Sequence, residues 1–186
     1  MSEKRKVIDS TQPTFITLTV VEWVDIFTRK RYCELIDDAL NYCIEERDLK
    51  VHAYVYMSNH VHLIVSSEKE ELPEIIRDFK KHTSKRIIEL IRQSGESRKE
   101  WLLNKFNEAA RVMKRNQLFK VWRDGYHPVS LDTNAKRKQK LNYIHSNPVK
   151  AGYVAHERDW LNSSYLAYEN TGGLLNVKVE PLILIL

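Results

Sequence analysis

The chain has 186 residues, 42% of them hydrophobic and 30% charged, with a formal net charge of +5. That is enough for one domain with a real core and too little for two large ones. No apolar run can span a bilayer, MSEKRKVIDS lacks the centre of a signal peptide, and Cys33 and Cys43 form neither a zinc ribbon nor a disulfide framework. The expectation is a soluble cytoplasmic protein with free thiols and no membrane partner.

Residues 1–13 are polar and read as a flexible arm, with one folded domain over 14–154 and an extension of it over 155–186. Phe15 to Val21 alternates, placing Ile16, Leu18 and Val20 on one face and Thr17 and Thr19 on the other, which predicts a half-buried strand. Between Arg29 and Asp48, Tyr32, Leu35, Ile36, Ala39, Leu40, Cys43 and Ile44 recur at helical spacing. Tyr54 to Val65, YVYMSNHVHLIV, reads as a strand, a tight turn at Ser58-Asn59 and a second strand. In the first of these, Val51, Ala53 and Val55 share one face, and Tyr54 and Tyr56 the other. In the second, His60 and His62 lie on one face and Val61 and Leu63 on the opposite one. Two imidazoles at i and i+2 on a strand can converge on one divalent metal, and two surface or core-edge histidines fit the same pattern.

A second helix is predicted from Glu71 to Gln93, a further one over Glu96–Lys114, and a short strand over Leu118–Trp122 before the turn-like Arg123-Asp124-Gly125. With the Glu96–Lys114 helix set aside as an insertion, the order is βαββαβ, an α+β ferredoxin-like antiparallel sheet. Both helices would cover one face, leaving the other to Thr17, Thr19, the tyrosines and the histidines. Ser130 to Thr133 offers N-cap residues for a last helix running to about Ser146, with Tyr143 and Asn147 one turn apart and Pro148 marking its end. Tyr143 alone could equally be a packing residue, and Asn147 a C-cap. Basic residues cluster at Arg77–Arg86, Arg111–Arg123 and Lys136–Lys140. Clustering of this kind serves nucleic-acid binding or simply a solvated face. The candidates for tracking phosphates are Lys80, Lys81, Lys85, Arg86, Lys136, Arg137, Lys138 and Lys140, and those for stacking bases are Tyr54, Tyr56 and Trp122. His145, on another side of the helix from Tyr143, reads as a cap or packing group, while His127 is left open.

NHVHLIV and YIHSNPVKAG together resemble the paired signatures of the single-tyrosine transposases with a His-hydrophobic-His motif, most nearly the REP-associated branch. The resemblance runs from the first strand through Val154. It implies that His60 and His62 bind a metal, that Tyr143 is the nucleophile and that Asn147 is a third ligand. Insertion-sequence relatives often carry Gln where Asn147 stands. It further implies a ferredoxin-like enzyme, nucleoid-associated, that cleaves and rejoins single-stranded DNA at hairpins, with Mg²⁺ or Mn²⁺ as cofactor. A tyrosine phenol attacking phosphorus would conserve the phosphodiester energy in a 5′-phosphotyrosine while a 3′-hydroxyl is released. A DNA-hairpin-binding protein without catalysis and a replication-initiator-like nickase are the alternatives. Monomer and homodimer both stay open, as does whether Tyr143 serves its own subunit's metal or its partner's.

Overall fold

The structure is a computed structural model, and it describes residues 7, 9–93, 95–112, 117–169 and 177–182. Strand β1 (Thr14–Thr19) leads to helix α1 (Lys30–Glu46), and a hairpin of β2 (Leu49–Tyr56) and β3 (His60–Ser67) follows. Then come α2 (Leu72–Gln93), the inserted α3 (Lys99–Arg111), a two-residue β4 (Val129–Ser130), α4 (Asn134–Lys150) and the short α5 (Tyr165–Tyr168). The strands pair antiparallel in the order β2-β3-β1-β4, the ferredoxin-like split arrangement that βαββαβ predicts.

Two apolar layers flank the sheet. Ile16, Leu18, Val61 and Leu63 pack with α1 and α2 through Ile36, Leu40, Ile76 and Phe79. Phe15, Ala53, Val55 and Ile64 pack on the other face with Ile144 of α4. The second face is therefore covered in part by the last helix. No helix among the described residues is long and apolar enough to cross a membrane.

Three sequence expectations change. The fourth strand is Val129–Ser130, whereas Leu118–Trp122 contributes only an isolated bridge, Trp122 to Val20. The run 121–123 still follows the end of β1, with Val21 N donating to Val121 O and Arg123 N to Thr19 O. Tyr54 and Tyr56 face the helices, not the histidines. The turn at Ser58-Asn59 pairs Tyr56 with Val61 and Val55 with His62, and cross-strand partners share a face. A register shift between Val51 and Ala53 then inverts the parity, so Val51 joins the tyrosines while Ala53 and Val55 turn to α4. Finally, α4 does not stop at Ser146 but runs through Pro148 to Lys150. Proline there gives up its own backbone donor, yet Ala151 N still reaches Asn147 O at 2.9 Å and Tyr153 N reaches Pro148 O, so the helix closes beyond it.

The ends are tied down where they are described. Ser67 N donates to Ser10 O and Leu131 N to Pro13 O, both at 2.8 Å. Past α4, Tyr56 N donates to Asn162 O, Ser164 N to Tyr54 O and Glu180 N to Val51 O, so two segments of the extension line the outer edge of β2. Residues 1–6 and 8 of the expected arm, and 183–186 at the end of the extension, lie outside the described residues.

Candidate active site

His60 and His62 stand at the start of β3, opposite Thr19 and Thr17 of β1. Their ring centroids are 4.7 Å apart. The two-residue turn, closed by Met57 N donating to His60 O at 2.9 Å, fixes where the strand and its imidazoles begin. Each ring is held by its Nδ1. His62 Nδ1 lies 2.8 Å from Thr17 Oγ1, and His60 Nδ1 lies 2.7 Å from Asn59 Oδ1. Because an amide oxygen only accepts, His60 carries its proton on Nδ1 and leaves the Nε2 lone pair for a ligand. Asn59 is itself oriented by Nδ2 donating to Asp25 Oδ1 at 3.1 Å, and Arg98 Nη1 donates to Asp25 O at the same distance. The Thr17 hydroxyl can donate or accept; in the tautomer in which His62 Nδ1–H donates to it, both imidazoles present Nε2. This is the outer-shell arrangement that metal-binding histidines use.

Helix α4 brings the phenol to the imidazoles. Thr133 caps the helix by accepting from Lys136 N at 3.3 Å, and Ile144 anchors its inner face in the core. Tyr143, one residue before that anchor, remains 39% exposed, and its hydroxyl oxygen lies 3.4 Å from His62 Nε2. That is a close approach, longer than a strong hydrogen bond. Phe15 forms the floor. Its ring stacks on His62 at 5.2 Å and meets Tyr143 edge-on at 5.8 Å. Lys140 Nζ sits 4.4 Å above the Phe15 ring and 5.2 Å from that of Tyr143, placing a cation between the floor and the phenol. Asn147 lies half-buried one turn beyond Tyr143, inside the helix.

Burial, helped by the neighbouring His60 and Lys140, lowers the His62 imidazole to about 3, and burial lowers His60 as well. Both are thus neutral at physiological pH, the form that coordinates metals. Among the described residues no group of three or more His, Cys, Asp or Glu side chains converges, so an ion on the two imidazoles would complete its shell with oxygens. Two neutral imidazoles beside a phenol suit a divalent ion of the Mn²⁺ or Mg²⁺ kind and do not exclude Zn²⁺.

The basic candidates divide. Lys80, Lys81, Lys85 and Arg86 are on α2, in the helix layer on the other side of the sheet from Tyr143. Lys80 is not a free cation. It donates to Arg123 O and Gly125 O, both at 2.8 Å, and burial lowers its ammonium to about 8. Arg86 pairs with Glu89 at 2.7 Å. On α4, Arg137 is buried with Nε donating to Leu131 O at 3.0 Å, so it too is structural. Lys136 pairs with Asp132, while Lys138 is exposed. Lys140 alone of the eight touches the site's rings. The stacking candidates Tyr54, Tyr56 and Trp122 are all buried. Trp122 donates its Nε1–H to Thr83 Oγ1 at 2.9 Å and Tyr56 its hydroxyl to Asp37 Oδ1 at 2.7 Å. His145 is the expected packing group, buried against Tyr165 and Tyr168 with Nε2 3.0 Å from Ser164 Oγ. His127 is exposed, in a left-handed backbone conformation.

The sequence alone did not reveal Phe15, Asn59 or Asp25 as supports. Phe15 shares the parity of Thr17 and Asn59 adjoins His60, which are usable signals, whereas nothing marks Asp25.

The family model described as "Transposase IS200 like" matches residues 16–106, from β1 to α3, a span that holds both histidines and ends before Tyr143. No curated protein matches the chain. A solved structure described as the REP associates tyrosine transposase bound to a REP hairpin is similar with a TM-score of 0.66 at 18% identity. The match covers 97% of this chain and 92% of that one. At that identity the likeness establishes the fold. A Deinococcus radiodurans r1 protein assigned as a transposase aligns with a TM-score of 0.42 at 14% identity, over 77% of this chain and 95% of that one.

Proposed function

We propose that this chain, whose residues 16–106 match the IS200-like transposase family model, cleaves and rejoins single-stranded DNA at hairpins, with Tyr143 as nucleophile. The observation that carries the reading is the approach of the Tyr143 hydroxyl to 3.4 Å from His62 Nε2, beside His60. A structural tyrosine would not need a half-exposed hydroxyl at a pair of oriented, neutral imidazoles. The similarity in fold to a protein described as bound to a REP hairpin supports hairpin DNA as the substrate.

In this mechanism Tyr143 Oη attacks the phosphorus as the P–O3′ bond breaks. The phosphate becomes a 5′-phosphotyrosine, O3′ leaves as a hydroxyl, and the proton lost by the phenol balances the one gained by O3′. Attack by a different 3′-hydroxyl reverses the step and joins new ends. His60 and His62, with Asn147 as the third donor, would hold a divalent ion, which when bound supplies Lewis-acid stabilisation of the non-bridging phosphate oxygens. Phe15 keeps water from the floor of the site and sets the tilt of Tyr143. Lys140 places its charge where an entering phosphate must come, and a preorganised cation there costs no reorganisation during the step. Lys136, one turn before Lys140, lies on the same side of α4, and Lys138 is an exposed cation elsewhere on the same helix.

A covalent-adduct assay tests the proposal. The protein is mixed with labelled single-stranded hairpins and Mn²⁺, denatured in detergent, and scored for label that stays with the chain. The expected result is a metal-dependent adduct absent from Tyr143→Phe and His62→Ala. Cleavage that persists without an adduct in Tyr143→Phe would replace the tyrosine mechanism with metal-activated water.

A further inference from the structure

We infer that Trp23, backed by Arg123, is a stacking platform for one unpaired base of the strand entering the site. The inference rests on the reading of this site as one that acts on single-stranded DNA. Trp23 is 56% exposed, while Trp122, its neighbour across the end of β1, is only 3% exposed. Its backbone is unusual. Glu22 and Trp23 both have φ of 53°, a region that a bulky residue rarely occupies and that here occurs twice in succession. The segment is held in that shape from both sides. Val21 N donates to Val121 O, Trp23 N to Val20 O, and Val20 N to Asn59 O of the histidine turn. The effect is to carry an indole outward at the mouth of the site, where burial would otherwise be favoured.

The position is what gives the ring a use. Its centroid lies 6.2 Å from that of His60, with the planes at 83°. The Arg123 guanidinium sits 5.5 Å over the indole, and its backbone is tied to β1 by Arg123 N donating to Thr19 O. A flat, exposed π surface with a cation over it, adjoining the imidazole on the side away from Phe15 and Tyr143, matches a nucleotide. The base stacks on the ring, and the guanidinium meets its phosphate or adds to the stack. Bases within a duplex have both faces covered, so the ligand is an unpaired base flanking a hairpin. Trp23 contributes affinity and strand register, and Tyr143 the chemistry.

The test uses the full chain and two fluorescein-labelled DNA probes, a pool of hairpins with a randomised single-stranded flank and the same hairpins without the flank. Wild-type protein binds the flanked pool more tightly. Trp23→Ala loses about ten- to a hundredfold of that affinity, the range a stacked base accounts for, and binds the flankless hairpins as the wild type does. Trp23→Phe recovers most of the loss. As an independent readout, the flanked pool quenches the wild type's tryptophan fluorescence and leaves that of Trp23→Phe largely unquenched. Equal affinity of Trp23→Ala and wild type for the flanked pool, with the Tyr143 adduct still formed, overturns the platform and leaves the proposed function standing. A wild type that binds neither pool overturns both.

Discussion

Replacing Thr17 with valine isolates the support of His62 from everything else in the site. Thr17 Oγ1 lies 2.8 Å from His62 Nδ1 in a direct cross-strand pair. Valine keeps the branched shape and strand preference of threonine, and the backbone bond from Thr17 N to Tyr126 O at 2.8 Å does not involve the side chain. What disappears is the side-chain partner at Nδ1 that holds the ring with Nε2 turned toward Tyr143. Losing such an outer-shell partner costs about 10- to 100-fold in metal affinity, equivalent to about 1.4 to 2.7 kcal/mol. The effect on folding should be smaller, about 1 kcal/mol for one hydrogen bond between neutral groups. Calorimetric titration of Mn²⁺ into wild type and Thr17→Val, with urea unfolding of both in parallel, separates the two effects. If the variant unfolds slightly earlier yet binds Mn²⁺ indistinguishably from the wild type, the assignment of Thr17 as the group that orients His62 for the metal is refuted.

Acid sensitivity should arise from the buried histidines. Burial lowers His145 from its ordinary 6.5 to about 4, so between these values the unfolded chain binds the proton and the native state does not. The contribution of His145 is present above pH 6.5 and is lost as the pH falls through that window, on the order of 3 kcal/mol in all. Urea midpoints measured down the pH scale should therefore fall less steeply for His145→Asn than for the wild type; parallel slopes would refute the assignment. Lys80 and Lys138 should behave as opposites. Lys80→Ala unties the loop at Arg123 and Gly125 and should destabilise the fold by about 1 to 3 kcal/mol, with the salt dependence of DNA binding unchanged. Lys138→Ala should leave stability alone and reduce the slope of log affinity against log salt by about one. A reduced slope for Lys80→Ala would return that residue to the DNA-binding set.

Local pattern and chain order carried much of this protein. Alternation in Ile16, Leu18 and Val20, helical spacing from Tyr32 to Ile44, and a two-residue turn before His60 depend on near neighbours, and βαββαβ leaves few ways to close a sheet. His60 and His62 share a face for the same reason, since side chains alternate along any strand. Which face Tyr54 and Tyr56 take was not local. It follows from how the turn registers β2 on β3 and from the shift near His52, and pairing at that turn sends both tyrosines to the helices. The end of α4 was likewise decided beyond the Asn-Pro step, where backbone donors at Ala151 and Tyr153 close the last turn. Tertiary structure alone sorts Lys80 and Arg137 from the exposed lysines, because their partners are carbonyls on other segments that composition does not register. It alone sets Tyr143 against His62 across 81 residues and lifts Trp23 beside His60. Such distances arise from packing a helix on a sheet, and no local pattern encodes them.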